Sequence, residues 1–203
     1  MPASIEASVR VWRGASSWHE LVPRLLNGHL LETGAGAVAE IGVWRGELSR
    51  RILQQCLSVT KLYLVDPWHP ILMQHGERWA YVGPGTSVEE MEDAMAEAVR
   101  ETEVFGKTTL LRLPSVDAAR QIPDGSLAAV IVDAVHFQNT VMEDIAAWRP
   151  KLRNGGLFIG DDYSPWYPGV QLGVEAMFGD NHFVLGQTWW TIPDEVEVLC
   201  SKR

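Results

Sequence analysis

At 203 residues, with 46% hydrophobic and 21% charged side chains, the chain has the make-up of one ordinary globular domain and is short for two. A formal net charge of -9 with no offsetting basic cluster argues against a general nucleic-acid or anionic-membrane surface. Cys56 and Cys200 stand apart without metal-type spacing, and no apolar leader or membrane-length run is present. A cytoplasmic protein with reduced thiols and no disulfide framework is the expectation.

Residues 1–36 carry a helical pattern, with Trp18, Leu21, Val22, Leu25 and Leu26 at three- and four-residue steps, broken by Gly28, Gly34 and Gly36. This segment predicts a helical cover over the cofactor end of a sheet. The stretch Val38-Ala-Glu-Ile-Gly-Val-Trp-Arg-Gly46 follows as a short strand, a turn with Gly42 and Gly46 four apart, and a helix through Leu48, Ile52 and Leu53. Glycines between strand and helix bring bare N–H groups and the helix's positive end to one spot, which suits an anionic or polar end of a ligand. Twenty residues past Gly46, Leu62-Tyr-Leu-Val-Asp66 is a second apolar run ending in a carboxylate, where a doubly wound fold grips ribose hydroxyls. The plainer alternative is that the glycines only shape a tight strand-to-helix turn.

Residues 67–86 are aromatic, proline- and glycine-rich and without clean periodicity, which predicts a lid loop above the strand ends carrying Trp68, His69, His75, Trp79 and Tyr81. Ser87-Val-Glu-Glu90 is a capping box opening a helix through Met91, Met95, Ala98 and Val99 to a stop near Gly106. Thr108 to Leu113 is the third strand, and Ser115 behind it is either a ligand contact or the N-cap of a helix from Val116 to Arg120.

Leu127 to Val132 is continuously apolar, as in a strand buried on both faces, and ends in Asp133-Ala-Val-His136. A helix from Asn139 to Trp148 and a strand from Leu157 to Gly160 lead to Asp161-Asp162-Tyr163. Strand, helix, strand implies parallel neighbours, so Asp133, Asp161 and Asp162 should converge at one sheet edge. Three carboxylates in a partly desolvated cleft repel unless a cation sits between them, and carboxylate oxygens suit Mg²⁺. Without a metal, Asp133 would lie near a bound nucleoside or cap a helix, and the other two would be turn residues.

The spacing Glu40-x-Gly42-x-x-x-Gly46 departs from the dinucleotide G-x-G-x-x-G and resembles the first motif of class I S-adenosylmethionine-dependent methyltransferases. The phrases Asp133-x-x-His136, the run from Asp144 to Gly156, and Asp161-Asp162-Tyr163 narrow the resemblance to the metal-dependent O-methyltransferases, the class of catechol and macrolide or coumarin sugar methylation. The match covers about residues 36–163. It implies a single α/β domain: a doubly wound, mostly parallel, seven-stranded Rossmann-like sheet with an antiparallel C-terminal strand. It also implies S-adenosylmethionine at Glu40, Gly42, Gly46, Asp66, Ser115 and Asp133; Mg²⁺ at Asp133, Asp161 and Asp162; and a small-molecule hydroxyl as acceptor. The family's base positions hold Val135 and His136, so His136 is the candidate base, with a hydrogen bond to a loop carbonyl or a carboxylate as its other use and His69 or His75 as substitutes. No nucleic-acid or membrane partner is expected, and a homo-oligomer stays open. A nicotinamide-dependent oxidoreductase and a non-catalytic scaffold with a decayed site are the rivals.

Beyond Tyr163, Trp166 and Tyr167 could wall a substrate pocket, followed by a helix from about Val170 to Phe178. His182–Ile192 and Glu195–Leu199 are β-rich, with a turn at Gly186-Gln187 or Pro193-Asp194, and Trp189 and Trp190 point to opposite faces of one strand.

Overall fold

The computed structural model describes residues 17–75, 78–82 and 84–193. In chain order these form α1 (Trp18–Thr33), β1 (Gly36–Ile41), α2 (Glu47–Gln55), β2 (Val59–Val65), β3 (Ile71–His75), β4 (Arg78–Val82), α3 (Val88–Thr102), β5 (Thr108–Leu111) and α4 (Ser115–Ala119). They continue with β6 (Leu127–Val132), α5 (Gln138–Trp148), β7 (Leu152–Gly160), α6 (Pro168–Phe178), β8 (Phe183–Leu185) and β9 (Thr188–Thr191). The main sheet runs β5-β2-β1-β6-β7-β9-β8. Its first five strands are parallel, while β9 is antiparallel to both neighbours. The order reverses at β1, and the crevice above such a reversal is where doubly wound sheets bind ligands.

Period-two alternation sorts the strand side chains onto two helical layers. Val38, Leu62, Leu64, Ile131 and Ile159 pack toward α1, α2 and α3. Ala39, Ile41, Val65, Val130, Val132 and Phe158 pack toward α4, α5 and α6. The adjacent tryptophans divide as expected: Trp190 joins the first layer, and Trp189 stacks on Phe158 in the second, with ring centroids 5.8 Å apart. The Gly186-Gln187 turn closes the β8–β9 pair. The capping box is formed, with Ser87 Oγ accepting from Glu90 N and Glu90 Oε2 accepting from Thr86 N.

Three expectations change. Within 67–86, where a loop is expected, β3 and β4 pair antiparallel as a sheet of their own. Ser115 is the first residue of α4, with Pro114 in the capping position, so it is not an N-cap. The strand expected from Leu157 begins instead at Leu152, so Gly155 and Gly156 lie within β7. Residues 1–16, Glu195–Leu199 and Cys200 lie outside the described residues. Cys56 is a buried free thiol pushed up to about 12 by burial. Among the described residues no helix is long and apolar enough to cross a membrane.

Candidate active site

The strand ends line up. Ile41 pairs with Val65 and Val132, and Val132 with Gly160, so Gly42, Asp66, Asp133 and Asp161 leave the sheet side by side. The ladder carries one step past the strands: Gly42 N–H donates to Val65 O, Asp133 N–H to Ile41 O and Asp161 N–H to Val132 O. Above this edge lies a cavity of about 870 Å³, ample for a small-molecule cofactor. Gly42, Asp66, Ser115, Asp133 and His136 line it. Glu40, Gly46, Asp161 and Asp162 are not among the lining residues.

Glu40 is displaced by the same alternation that builds the core. It shares Val38's face, lies beneath α2, and accepts a 2.7 Å hydrogen bond from Ser49 Oγ. Burial, reinforced by Asp133 and Asp66 and opposed by Ser49, pushes its carboxyl up to about 8. Gly46 serves packing: with φ +78, its missing Cβ would stand 2.9 Å from the Cα of Ala98 on α3. Gly42, at φ +86, is more constrained, since a Cβ there would lie 1.7 Å from the carbonyl oxygen of Asp133. Only glycine lets the β1 turn pass this close to the end of β6.

The turn's N–H groups are not bare. Asp66 Oδ2 accepts from Val43 N and Trp44 N at 3.1 and 3.0 Å, and its Oδ1 accepts from Trp68 N at 2.7 Å. Gly46 N–H donates to Val43 O, and the buried Trp68 indole donates to Trp44 O at 2.9 Å. A floor with its donors paired internally is a poor cradle for a pyrophosphate, which weighs against a dinucleotide. A carboxylate accepts about four hydrogen bonds, so Asp66 retains room for about one more, enough for a ribose hydroxyl. Burial raises its pKa against the lowering effect of those N–H groups.

At the far wall Trp148 Nε1 donates to Ser115 Oγ at 2.9 Å, and Ser115 in turn hydrogen-bonds Asp144. Asp144 is pushed up to about 6, chiefly by burial. Asp144 and its neighbour Glu143 both line the cavity, and sequence reasoning missed them. The signal for Asp144 was present: a carboxylate inside the stripe Val141, Ile145, Trp148 occupies a core-facing position.

The second cluster stands at the rim. One donor atom each from Asp133, His136 and Asp162 lies within 4.8 Å of the others. The expected aspartate trio therefore differs: His136 is inside the group and Asp161 outside it. Asp162 holds a left-handed backbone (φ +60), which turns consecutive side chains in different directions. Burial and the charge of Asp133 push Asp161 up to about 7. His136 Nε2 lies 2.9 Å from Asp162 Oδ2 and 3.9 Å from Asp133 Oδ1, yet it is shielded from solvent and makes no directed hydrogen bond. Burial works against its charge, but the two carboxylates outweigh it and push His136 up to about 9. With no cation between the carboxylates the ring would hold its proton at neutral pH, and a cation bound there would displace that proton. His69 lines the cavity, whereas the side chain of His75 is outside the description.

Residues 39–163 match the family model described as a methyltransferase domain. Among solved structures, the O-methyltransferase NovP aligns at 18% identity and a TM-score of 0.61, covering 86% of this chain and 78% of its own. Cofactor-bound Rv0187 from MTB aligns at 13% identity and 0.58, covering 95% and 88%. The spermidine synthase of Thermotoga maritima aligns at 17% and 0.51, covering 78% and 48%. At such identities these likenesses establish the fold alone. No curated protein sequence matches the chain.

Proposed function

The chain belongs to the methyltransferase-domain family and is an S-adenosylmethionine-dependent methyltransferase, and from that premise we propose a divalent-cation-assisted transfer to a hydroxyl of a small phenolic or sugar-like molecule. The observation that carries this reading is that Asp133 belongs to both constellations, lining the cofactor cavity and contributing to the rim cluster.

The residues divide the work. The remaining acceptor site of Asp66 suits a ribose hydroxyl, and Ser115 with Asp144 forms a polar end for the adenine. Asp133 and Glu143 give the cavity an acidic lining that favours a cationic sulfonium and amino group. Asp133 and Asp162 are the carboxylates placed to hold a cation such as Mg²⁺. When bound, S-adenosylmethionine supplies an electrophilic methyl group and a divalent cation supplies Lewis acidity toward the acceptor hydroxyl. Tyr167 packs on the His136 ring with centroids 4.4 Å apart, and Trp166 beside it is 86% exposed, so the rim offers flat apolar faces to an acceptor ring.

Calorimetry with S-adenosylmethionine and with NAD, followed by an acceptor screen over catechols, flavonoids and glycosylated compounds with and without chelator, tests the reading. Binding of S-adenosylmethionine and chelator-sensitive methylation are expected. Turnover indifferent to chelator would remove the cation, and failure to bind either cofactor would favour a non-catalytic scaffold.

A further inference from the structure

We propose that His136 is itself a metal ligand, so that the rim is a one-nitrogen, two-carboxylate site selective for a late first-row dication over Mg²⁺, with Asp161 outside the coordination sphere. The inference rests on the cation reading above and deepens it by naming the class of ion.

The first observation is spatial. Donors of one small dication sit about 2.1 Å from it, so they stand roughly 3 to 4.2 Å from one another. The separations of 2.9 and 3.9 Å from His136 Nε2 to the two carboxylates match that spread, and the whole set falls within 4.8 Å. The second is the state of the nitrogen. Nε2 is closed off from solvent and has no directed hydrogen bond, although two carboxylates flank it. The nitrogen thus faces both carboxylates off the direction a hydrogen bond prefers, the arrangement of three donors turned toward one shared point.

The third observation is that the parts are held in place. Tyr167 covers the ring. Gly169 approaches the His136 backbone so closely that a Cβ would stand 2.3 Å from its carbonyl oxygen. Thr140 Oγ1 donates to Val135 O at 3.1 Å, tying the segment that carries the ring to α5. Asp162 keeps a left-handed conformation that is strained for a residue with a Cβ, the kind of strain retained where a side chain must be aimed. Asp161, in contrast, accepts the N–H of Asp162.

The chemistry of the donors then sets the ion. Mg²⁺ favours oxygen ligands and octahedral water, whereas an imidazole nitrogen shifts affinity toward Co²⁺, Ni²⁺ or Zn²⁺ along the Irving–Williams order.

The test uses the full chain and the metals alone. Calorimetric titration with Co²⁺ and with Mg²⁺ is expected to give a Co²⁺ affinity about tenfold or more above that for Mg²⁺. The visible spectrum of bound Co²⁺ should report nitrogen ligation. His136→Ala should weaken Co²⁺ by about 10- to 100-fold and alter that spectrum, while Asp161→Asn leaves both close to wild type. Unchanged far-UV circular dichroism and a cooperative thermal transition in both variants show that they fold. Equal affinity for the two metals, Co²⁺ binding unaffected by His136→Ala, or loss of binding in Asp161→Asn would each overturn the assignment. Mg²⁺-dependent methylation surviving in His136→Ala would overturn it while leaving the proposed function standing. Absence of binding for both S-adenosylmethionine and any metal would sink the two together.

Discussion

The floor of the cavity and its rim are built from the same kind of residue in opposite states. At the floor, Asp66 meets three backbone N–H groups and Trp68 closes the Trp44 carbonyl, so the protein itself takes most of the carboxylate's acceptor capacity. At the rim, Asp133 and Asp162 face one imidazole with no directed hydrogen bond to it. A carboxylate held by backbone N–H groups positions the turn, whereas a pair that meets only an imidazole keeps acceptor capacity free for a ligand. The two regions touch at Gly42, whose turn presses on the carbonyl of Asp133.

That contact is where the comparison breaks most severely. Gly42→Ala would force a methyl group to 1.7 Å from a carbonyl oxygen at positive φ, so backbone must shift. A loss of about 3–5 kcal/mol is expected, with S-adenosylmethionine and metal binding failing together. Thermal denaturation with calorimetry on both ligands checks it, and a mild effect would mean that floor and rim are not mechanically joined.

Asp133→Asn should separate function from stability at the rim. Removing one charge from the cluster relieves repulsion, so the metal-free protein should melt at or above the wild-type temperature. Turnover should fall about 100-fold or more, since the residue is shared by cavity and cluster. A drop in melting temperature would show that the rim carboxylate is satisfied after all.

Glu40 sharpens the contrast through pH. Its folded pKa is raised from 4.5 to about 8, so between those values the native state holds a proton that the unfolded chain has released. Its contribution is therefore fully present below pH 4.5 and lost as pH rises through about 8. Glu40→Gln should abolish that decline and gain roughly 2–4 kcal/mol over wild type at high pH. Urea unfolding of both proteins at several pH values between 5 and 9 measures it, and parallel profiles would mean the carboxyl is ionised and otherwise paired.

Much of this was legible in the chain. Apolar runs ending in Asp66, Asp133 and Asp161 locate three strand ends of the parallel sheet, and the continuous run Leu127–Val132 marks a strand buried on both faces. Glu40's burial beneath α2 follows from alternation and not from the motif: it shares Val38's face, and Ser49 follows on the next helix. The β3–β4 hairpin was hidden because Ile71-Leu-Met and Trp79-Ala-Tyr lack strict alternation and prolines flank them, which reads as loop. Whether Asp161 or Asp162 would join the cluster depends on one left-handed residue, and composition does not encode that rotation.

The smallest expected effect is the most selective. Trp68 is fully buried, and phenylalanine would fill most of its space while removing only the indole N–H that serves Trp44 O. An unpaired buried carbonyl with a small void should cost about 1–2 kcal/mol. Because that carbonyl belongs to the turn whose N–H groups Asp66 holds, S-adenosylmethionine affinity in Trp68→Phe should fall several-fold. Metal affinity should not change, since no rim donor contacts the indole. A matched loss of both affinities would mean that the floor transmits its order to Asp133 through Gly42, and the two regions would then have to be treated as one.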